Sequence, residues 1–153
     1  MKKFINSLLM LLILFSASSC LKANLDELDT YDGNDITNVR FEYRWWDSSA
    51  NKMRVINMNV SKTIDKENKT IDCNITVPNT TSTFTNDIRD KVSLSSLAIN
   101  VDASTAARIV PENNAPVMGA FPSDFSAKTF RYKVTAGNGD AVSWTINITN
   151  FQK

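Results

Sequence analysis

The alternation of apolar and polar residues from residue 36 onward constrains this fold more than any other feature of the chain. Val39, Phe41, Tyr43 and Trp45 alternate with charged residues, and similar segments recur to the C-terminus. Successive side chains of a β-strand point to opposite faces, so a period of two indicates strands with one buried face. No segment shows the periodicity of a long amphipathic helix. The pattern predicts about seven short strands in an all-β sandwich.

Prolines, turn residues and polar clusters mark the expected strand boundaries. Pro78 and Pro111 are expected to end strands, because proline cannot donate a ladder hydrogen bond. Gly137-Asn138-Gly139-Asp140 between two apolar runs is a hairpin signal. The predicted strands include residues 53–61, 92–101 and 107–110. Residues 79–91 are expected to be irregular apart from a helical turn around 87–90, and residues 111–128 to form a long loop.

The N-terminus has the layout of a secretory signal. Lys2 and Lys3 precede the apolar run Leu8 to Phe15, which is followed by small residues and Cys20. The apolar run is far shorter than the roughly 20 residues that a bilayer-spanning helix needs. Residues 17–20 resemble a bacterial lipobox, which implies that residues 1–19 are a lipoprotein signal peptide and that Cys20 is lipidated.

Lipidation of Cys20 would anchor the mature chain to a membrane. The alternative is ordinary signal cleavage, which leaves Cys20 as a thiol and permits a disulfide with Cys73, the only other cysteine. Residues 21–35 contain five acidic residues and one lysine. This composition predicts that residues 20–35 form a solvated tether and that the domain spans residues 36–153.

Composition argues against most catalytic and nucleic-acid functions. The chain has no histidine, which removes the usual general base and histidine-based metal sites. Cys73 lies in phase with Ile71 and Ile75 and is interpreted as a small buried hydrophobe rather than a reactive thiol. Removing Lys2 and Lys3 leaves 15 basic and 16 acidic residues, so no nucleic acid is expected as a partner. No cofactor, metal site or catalytic residue is predicted.

Carboxylates are the remaining catalytic possibility, because a pair of them can hydrolyse a glycosidic bond. Nothing in the sequence places any two at a workable separation, so solvated surface acids are the preferred interpretation. The candidates are Glu42, Asp102, Glu112 and Asp124.

The adjacent tryptophans Trp45 and Trp46 are the feature with the clearest functional content. Pairing residues 36–46 with 53–61 across the polar segment 47–52 aligns the apolar residues of both strands on one face. That register points Trp45 inward and Trp46 outward, with Trp46 opposite Met53. It also places Val55 opposite Arg44.

An outward tryptophan has two interpretations. In the first, Trp46 packs under the tether or the 112–128 loop, or lies against Arg44 as a cation–π pair. In the second, Trp46, Arg44 and Met53 form a ligand-binding surface, because Trp and Arg are enriched at binding hot spots and apolar patches mark interfaces. An indole face can also stack on a sugar ring.

The segment 97–149 resembles the end of the immunoglobulin-like domains of unknown function in Bacteroidota envelope lipoproteins. The resemblance rests on Ala107-Arg108-Ile109-Val110-Pro111, on Asp124-Phe125-Ser126, and on the run Tyr132 to Ala136 that closes on Trp144-Thr145-Ile146. It implies an immunoglobulin-like antiparallel sandwich in a lipidated, non-enzymatic module, of a kind found beside glycan-capture or adhesion machinery.

These observations predict a lipid-anchored protein of the cell envelope, at the outer membrane, with its periplasmic or surface orientation left open. The expected function is a binding module, for a glycan or as an accessory of an outer-membrane protein complex. The alternative is a structural or assembly lipoprotein, related to adhesion or pili, that contacts only proteins.

Overall fold

The computed structural model describes residues 31–153, which form one compact unit, Tyr31–Lys153. The predictions for the signal peptide 1–19, for Cys20 and for most of the tether lie outside the described residues. Among the described residues, no helix has the length and apolar character needed to cross a bilayer.

The described part of the chain is all-β, as the alternation predicts, with eight strands rather than seven. One short helix, α1 (Asn86–Arg89), and one 3₁₀ turn, Leu94–Ser96, lie in the segments between strands. The strands are β1 (Ile36–Asp47), β2 (Lys52–Asn57), β3 (Asn59–Asp65), β4 (Thr70–Thr76), β5 (Ala98–Ala103), β6 (Arg108–Glu112), β7 (Thr129–Thr135) and β8 (Ala141–Gln152).

The strands form two sheets, one in the order β2-β1-β5 and one in the order β3-β4-β8-β7-β6. All pairs are antiparallel except β4 and β8, which run parallel. The predicted antiparallel sandwich therefore holds for the other strand pairs and differs at this one. A parallel pair needs a long crossover, and here the chain leaves β4 and returns only after β5, β6 and β7. Side-chain alternation is the same in both directions, so the sequence pattern carries no information on this point.

The predicted strand 53–61 is two strands that belong to different sheets. The backbone N–H of Met58 still donates to the carbonyl of Phe41 at 2.8 Å, so the predicted pairing reaches this residue. Beyond it, β3 turns into the other sheet, where Val60 pairs with Ile75 of β4. Chain bends of this kind are how one strand switches sheets at the corner of a sandwich.

Two further strand boundaries differ from prediction. Residues 92–97 do not form the predicted strand, because Leu94–Ser96 form a 3₁₀ turn that the Ser93 and Ser96 side chains cap, and these side chains compete for the backbone groups that a strand would pair. Pro111 lies within β6 rather than ending it. β6 is an edge strand, and an edge strand tolerates a residue that lacks an N–H group.

The core lies between the two sheets. Its largest fully buried side chains are Trp144, Tyr132, Phe41, Phe84 and Phe125. Cys73 is also fully buried and forms no disulfide within residues 31–153, and its burial agrees with its predicted place beside Ile71 and Ile75.

Residues 31–35 pack against the sandwich, although their composition places them in the tether. The indole Nε1 of Trp144 donates to the carbonyl of Asn34 at 2.9 Å. The carboxylate of Asp35 pairs with the Lys69 ammonium at 2.8 Å, and its backbone N–H donates to Ser104. Specific partners elsewhere in the fold therefore order this acidic stretch.

Candidate functional site

Strands β1 and β2 form a two-stranded ribbon that carries the predicted site. The observed register places Trp46 opposite Met53 and Arg44 opposite Val55, as the sequence predicts. Asp47 stabilises the turn of the ribbon, because its carboxylate accepts hydrogen bonds from the backbone N–H groups of Ser49 and Ala50. Such local side-chain bonds are typical of Asp at turns. The ribbon therefore holds its side chains in one register.

The outer face of the ribbon exposes three large apolar side chains, called here the outer patch: Trp46, Met53 and Val55. Their exposed fractions are 58%, 54% and 51%. Trp46 and Met53 face each other across the two strands, and Val55 follows two residues after Met53, so the three are contiguous. Neither the 112–128 loop nor any other part of the described chain buries Trp46.

Arg44 borders the outer patch but is occupied within the protein. Its guanidinium pairs with the Glu42 carboxylate and donates to the carbonyl of Gly119 at 2.9 Å. Among residues 31–153, the cation–π contact is that of Lys69 with Trp144, not that of Arg44 with Trp46. Arg44 therefore ties the ribbon to the 112–128 loop and leaves the indole of Trp46 uncovered.

A cleft of about 680 Å³ opens beside the tip of the ribbon, and we call it the ribbon cleft. Aromatic groups from Tyr43, Trp45 and Phe121 contribute to its lining. Trp45 is partly buried, with its ring stacked on Tyr43 at a centroid distance of 6.2 Å and tilted against Phe84 at 5.6 Å. Trp45 thus joins the core as predicted, and it also borders a concave surface.

Polar residues complete the ribbon cleft, and sequence reasoning did not identify them. They are Asp47, Ser48, Ser49, Arg54, Ser82, Thr83, Thr85, Lys91 and Ser96. The sequence pattern does contain a sign that Arg54 belongs to such a site. It lies opposite Trp45 and in phase with Ile56, so it is a charged residue on the inner face of its strand. An inward charge marks the point where the apolar interior ends.

The charges of the cleft are largely compensated by one another. Arg54 pairs with the carboxylate of Asp47, which also accepts from the Ser49 hydroxyl. The hydrogen bond from Ser49 and the pairing with Arg54 lower the pKa of Asp47 well below its usual value. Asp47 is therefore an ionised structural carboxylate and not a proton donor at neutral pH.

The four carboxylates considered for catalysis are each held by a different partner. Glu42 pairs with Arg44, Asp102 with Arg40, and Glu112 accepts from the Ser143 hydroxyl. The Arg40 guanidinium lowers the pKa of Asp102.

The backbone N–H of Ser126 donates to the Asp124 carboxylate. Hydrogen bonding by Ser126, first through its side chain and then through this N–H, lowers the pKa of the Asp124 carboxyl. A catalytic acid of a glycosidase needs a raised pKa, so the lowered values of Asp102 and Asp124 are the opposite of that requirement.

Two further observations concern reactive groups. Burial raises the pKa of the Cys73 thiol to about 11, so this cysteine is un-ionised at neutral pH. Within the described residues, no group of three or more His, Cys, Asp or Glu side chains is placed to hold a metal ion.

Comparison with known proteins places this chain in a family. The model of the DUF5018-related family matches residues 36–147, which is most of the chain, and no curated protein matches it. The chain belongs to the DUF5018-related family.

A crystal structure is similar over nearly its whole length. It is that of a protein from Bacteroides fragilis NCTC 9343 described as a "putative secreted protein". The two share 30% sequence identity with a TM-score of 0.71, and the match covers 81% of this chain and 99% of that one. This likeness agrees with the resemblance to Bacteroidota domains drawn from the sequence.

Proposed function

We propose that this protein is a non-catalytic binding module of the cell envelope, anchored through Cys20, and that the tip of the β1–β2 ribbon is its recognition site. The observation that carries the proposal is the outer patch. Trp46, Met53 and Val55 are each more than half exposed and contiguous on the surface of a folded domain. Contiguous exposed apolar groups mark interaction sites more often than scattered ones do.

The chemistry of the ribbon tip favours a glycan as the ligand. Sugars present apolar C–H faces and many hydroxyl groups, so they suit aromatic rings placed beside hydrogen-bonding side chains. Trp46 offers an open indole face, and Trp45 and Tyr43 border a cleft lined by serine and threonine hydroxyls. Most of the residues that line this cleft are polar, which suits a ligand rich in hydroxyl groups.

The position of the ribbon within the domain suits a membrane-anchored receptor. β1 begins at Ile36, directly after residues 31–35, and ends at Asp47 in the ribbon. Twelve residues of strand span roughly 36–40 Å. A lipid at Cys20 would therefore attach the domain by one end and leave the ribbon at the other. The described similarity to a protein called secreted supports placement outside the cytoplasm.

The proposal is tested by glycan-array and affinity-gel binding of the mature chain with Cys20→Ser, so that it remains free of lipid. Trp46→Ala is expected to reduce binding to any glycan retained by the parent at least about tenfold, as loss of a hot-spot tryptophan does. Tyr31→Ala is the matched control. It removes an aromatic side chain that is 60% exposed but lies at the opposite end of β1.

Equal loss of binding in both variants would contradict recognition at the ribbon. The absence of binding to every glycan on the array would contradict the glycan assignment. Turnover of a bound glycan, abolished by changing a single carboxylate, would contradict the non-catalytic assignment.

A second candidate is a structural or assembly lipoprotein whose contacts are only with other proteins. Met53 and Val55 favour it, because aliphatic side chains offer a sugar no hydrogen bond and pack well in protein interfaces. A defined protein complex that needs Met53 and Val55, in the absence of glycan binding, would select this function.

A further inference from the structure

The four edge strands of the two sheets differ in how their open edges are protected, and β2 is the one that is neither covered nor interrupted by proline and exposes apolar side chains. The edge of β5 is covered by the chain itself, since Gly119 N–H donates to the carbonyl of Ile99 and Ser123 bridges to Leu97. β6 contains Pro111, which has no N–H to offer. β3 exposes only polar side chains on its outward positions, which are Asn59, Ser61 and Thr63.

Within residues 31–153, β2 has no partner strand on its far side, and its outer face exposes apolar side chains. In the described part of the chain its only partner strand is β1. Open edges attract other strands, and natural sheets usually cover or interrupt them. The contrast with β5 is informative, because both strands border the same sheet and only one is covered.

The hydrogen-bond pattern shows which backbone groups of β2 are free. Met58 N–H donates toward β1, at the carbonyl of Phe41. Alternate residues of an antiparallel strand point their N–H and C=O groups to the same side. Ile56, Arg54 and Lys52 therefore also face β1. Met53, Val55 and Asn57 direct their backbone groups away from it, toward the open edge.

We propose that a second copy of this chain pairs with this edge, β2 against β2, antiparallel and centred on Val55. The two three-stranded sheets then become one six-stranded sheet with a two-fold axis at Val55. A two-fold interface requires a surface that complements itself. A strand whose central residue directs its backbone groups outward meets this requirement.

The charges of β2 are compatible with this register. Pairing centred on Val55 places Arg54 opposite Ile56 of the second copy and Lys52 opposite Met58 of the second copy. Like charges directly opposite each other would destabilise the pair, and none occur. β2 itself contains no acidic residue that could pair with Lys52 or Arg54 of the second copy. The favoured register is therefore one in which Lys52 and Arg54 do not face each other across the two strands.

The pairing also organises the candidate site. Residues opposite each other share a face, so the outer patches of both copies would lie on one face of the joined sheet, with the two Val55 side chains adjacent. Edge pairing leaves the face of Trp46 open. The dimer would thus present two Trp46 side chains to one surface, and two linked sites bind a repetitive ligand more tightly than one.

Disulfide trapping is the first test. Val55→Cys is combined with Cys20→Ser in the mature chain, where the remaining Cys73 is fully buried. Directly opposed residues of an antiparallel pair have Cα atoms about 4.5–5.5 Å apart, within disulfide range. Mild oxidation is expected to give a covalent dimer at least about fivefold faster than in the Val117→Cys control, whose valine is 60% exposed in a loop. Equal rates would overturn the proposal.

Sedimentation of the mature Cys20→Ser chain is the second test. The parent is expected to dimerise reversibly at high concentration. Val55→Lys places two ammonium groups opposite each other and is expected to raise the dimer dissociation constant at least about tenfold, whereas Val117→Lys leaves it unchanged. A monomer at all concentrations would overturn the proposal, as would a dimer indifferent to Val55→Lys. Neither outcome depends on glycan binding, so this inference and the proposed function fail separately.

Discussion

Trp144 and Trp46 lie in opposite ends of the sandwich and have opposite environments. Trp144 is fully buried, its Nε1 donates to the carbonyl of Asn34, and the Lys69 ammonium lies 5.2 Å from the centroid of its ring. Trp46 is 58% exposed and lies across from Met53 on an open surface. One indole joins the N-terminal segment to the core, and the other is available to a ligand.

The difference shows that tight packing around a tryptophan is found at the end of the domain where the N-terminal segment enters. Asp35, Lys69 and Trp144 join that segment to the β3–β4 turn and to the central strand β8. At the ribbon end, β1 and β2 extend as a two-stranded unit with polar loops around a cleft. Residues that are free of packing demands can be selected for binding, which is why the ribbon is the candidate site.

The largest expected effect is the difference in stability between alanine variants of the two tryptophans. Trp144→Ala should lower the free energy of unfolding by about 3–5 kcal/mol, because it leaves a large cavity and removes the partner of the Asn34 carbonyl. Trp46→Ala should change it by less than about 0.5 kcal/mol, as exposed substitutions do. Urea denaturation followed by circular dichroism measures both. Similar losses in the two variants would refute the contrast between the ends.

A smaller effect is expected at Gly33, which tests whether residues 31–35 belong to the domain. A Cβ at this position would lie 2.8 Å from the Cβ of Ser104 and 2.9 Å from its Oγ. Gly33→Ala should therefore cost about 1–3 kcal/mol of stability through overpacking. Asp32→Ala, at the exposed neighbour, is the control and should be nearly neutral. If thermal melting finds Gly33→Ala neutral as well, residues 31–35 are part of the tether.

The smallest effect is expected at Asp35. The hydrogen bond from Lys69 is the main cause that lowers the pKa of this carboxyl below its usual 3.8. A lowered folded-state pKa stabilises the fold at pH values above the unfolded-state pKa, and this contribution is lost as the pH falls through the folded-state value.

Asp35→Asn should therefore reduce stability near pH 7 by at most about 1 kcal/mol, because the ion pairs are partly exposed. The difference between parent and variant should shrink below about pH 4. Denaturation midpoints measured from pH 7 to pH 3 follow it, with Asp32→Asn as the exposed control. A difference that stays constant across this range would show that the charge of Asp35 is not responsible.

The alternation of apolar and polar residues was by itself sufficient to predict much of this fold and the register of the ribbon. The pairs of Trp46 with Met53 and of Arg44 with Val55 follow from one requirement, that Phe41 and Tyr43 share an apolar face with Met58 and Ile56. Periodicity could not reveal the corner at Met58, because the side chains continue to alternate while the strand changes sheets. It also could not bring Lys91 and Ser82 to the cleft, since both come from irregular segments.

The sequence by itself determined where most of the strands lie, which face of each strand is apolar, and that Trp45 and Trp46 point in opposite directions. These properties are local, because they follow from the two-residue period of a strand. Only the tertiary structure decided that β4 and β8 run parallel and that Asp35 belongs to the domain. It alone also decided that β2 has an open edge while β5 is covered. These properties depend on contacts between distant segments, and a local pattern contains no record of them.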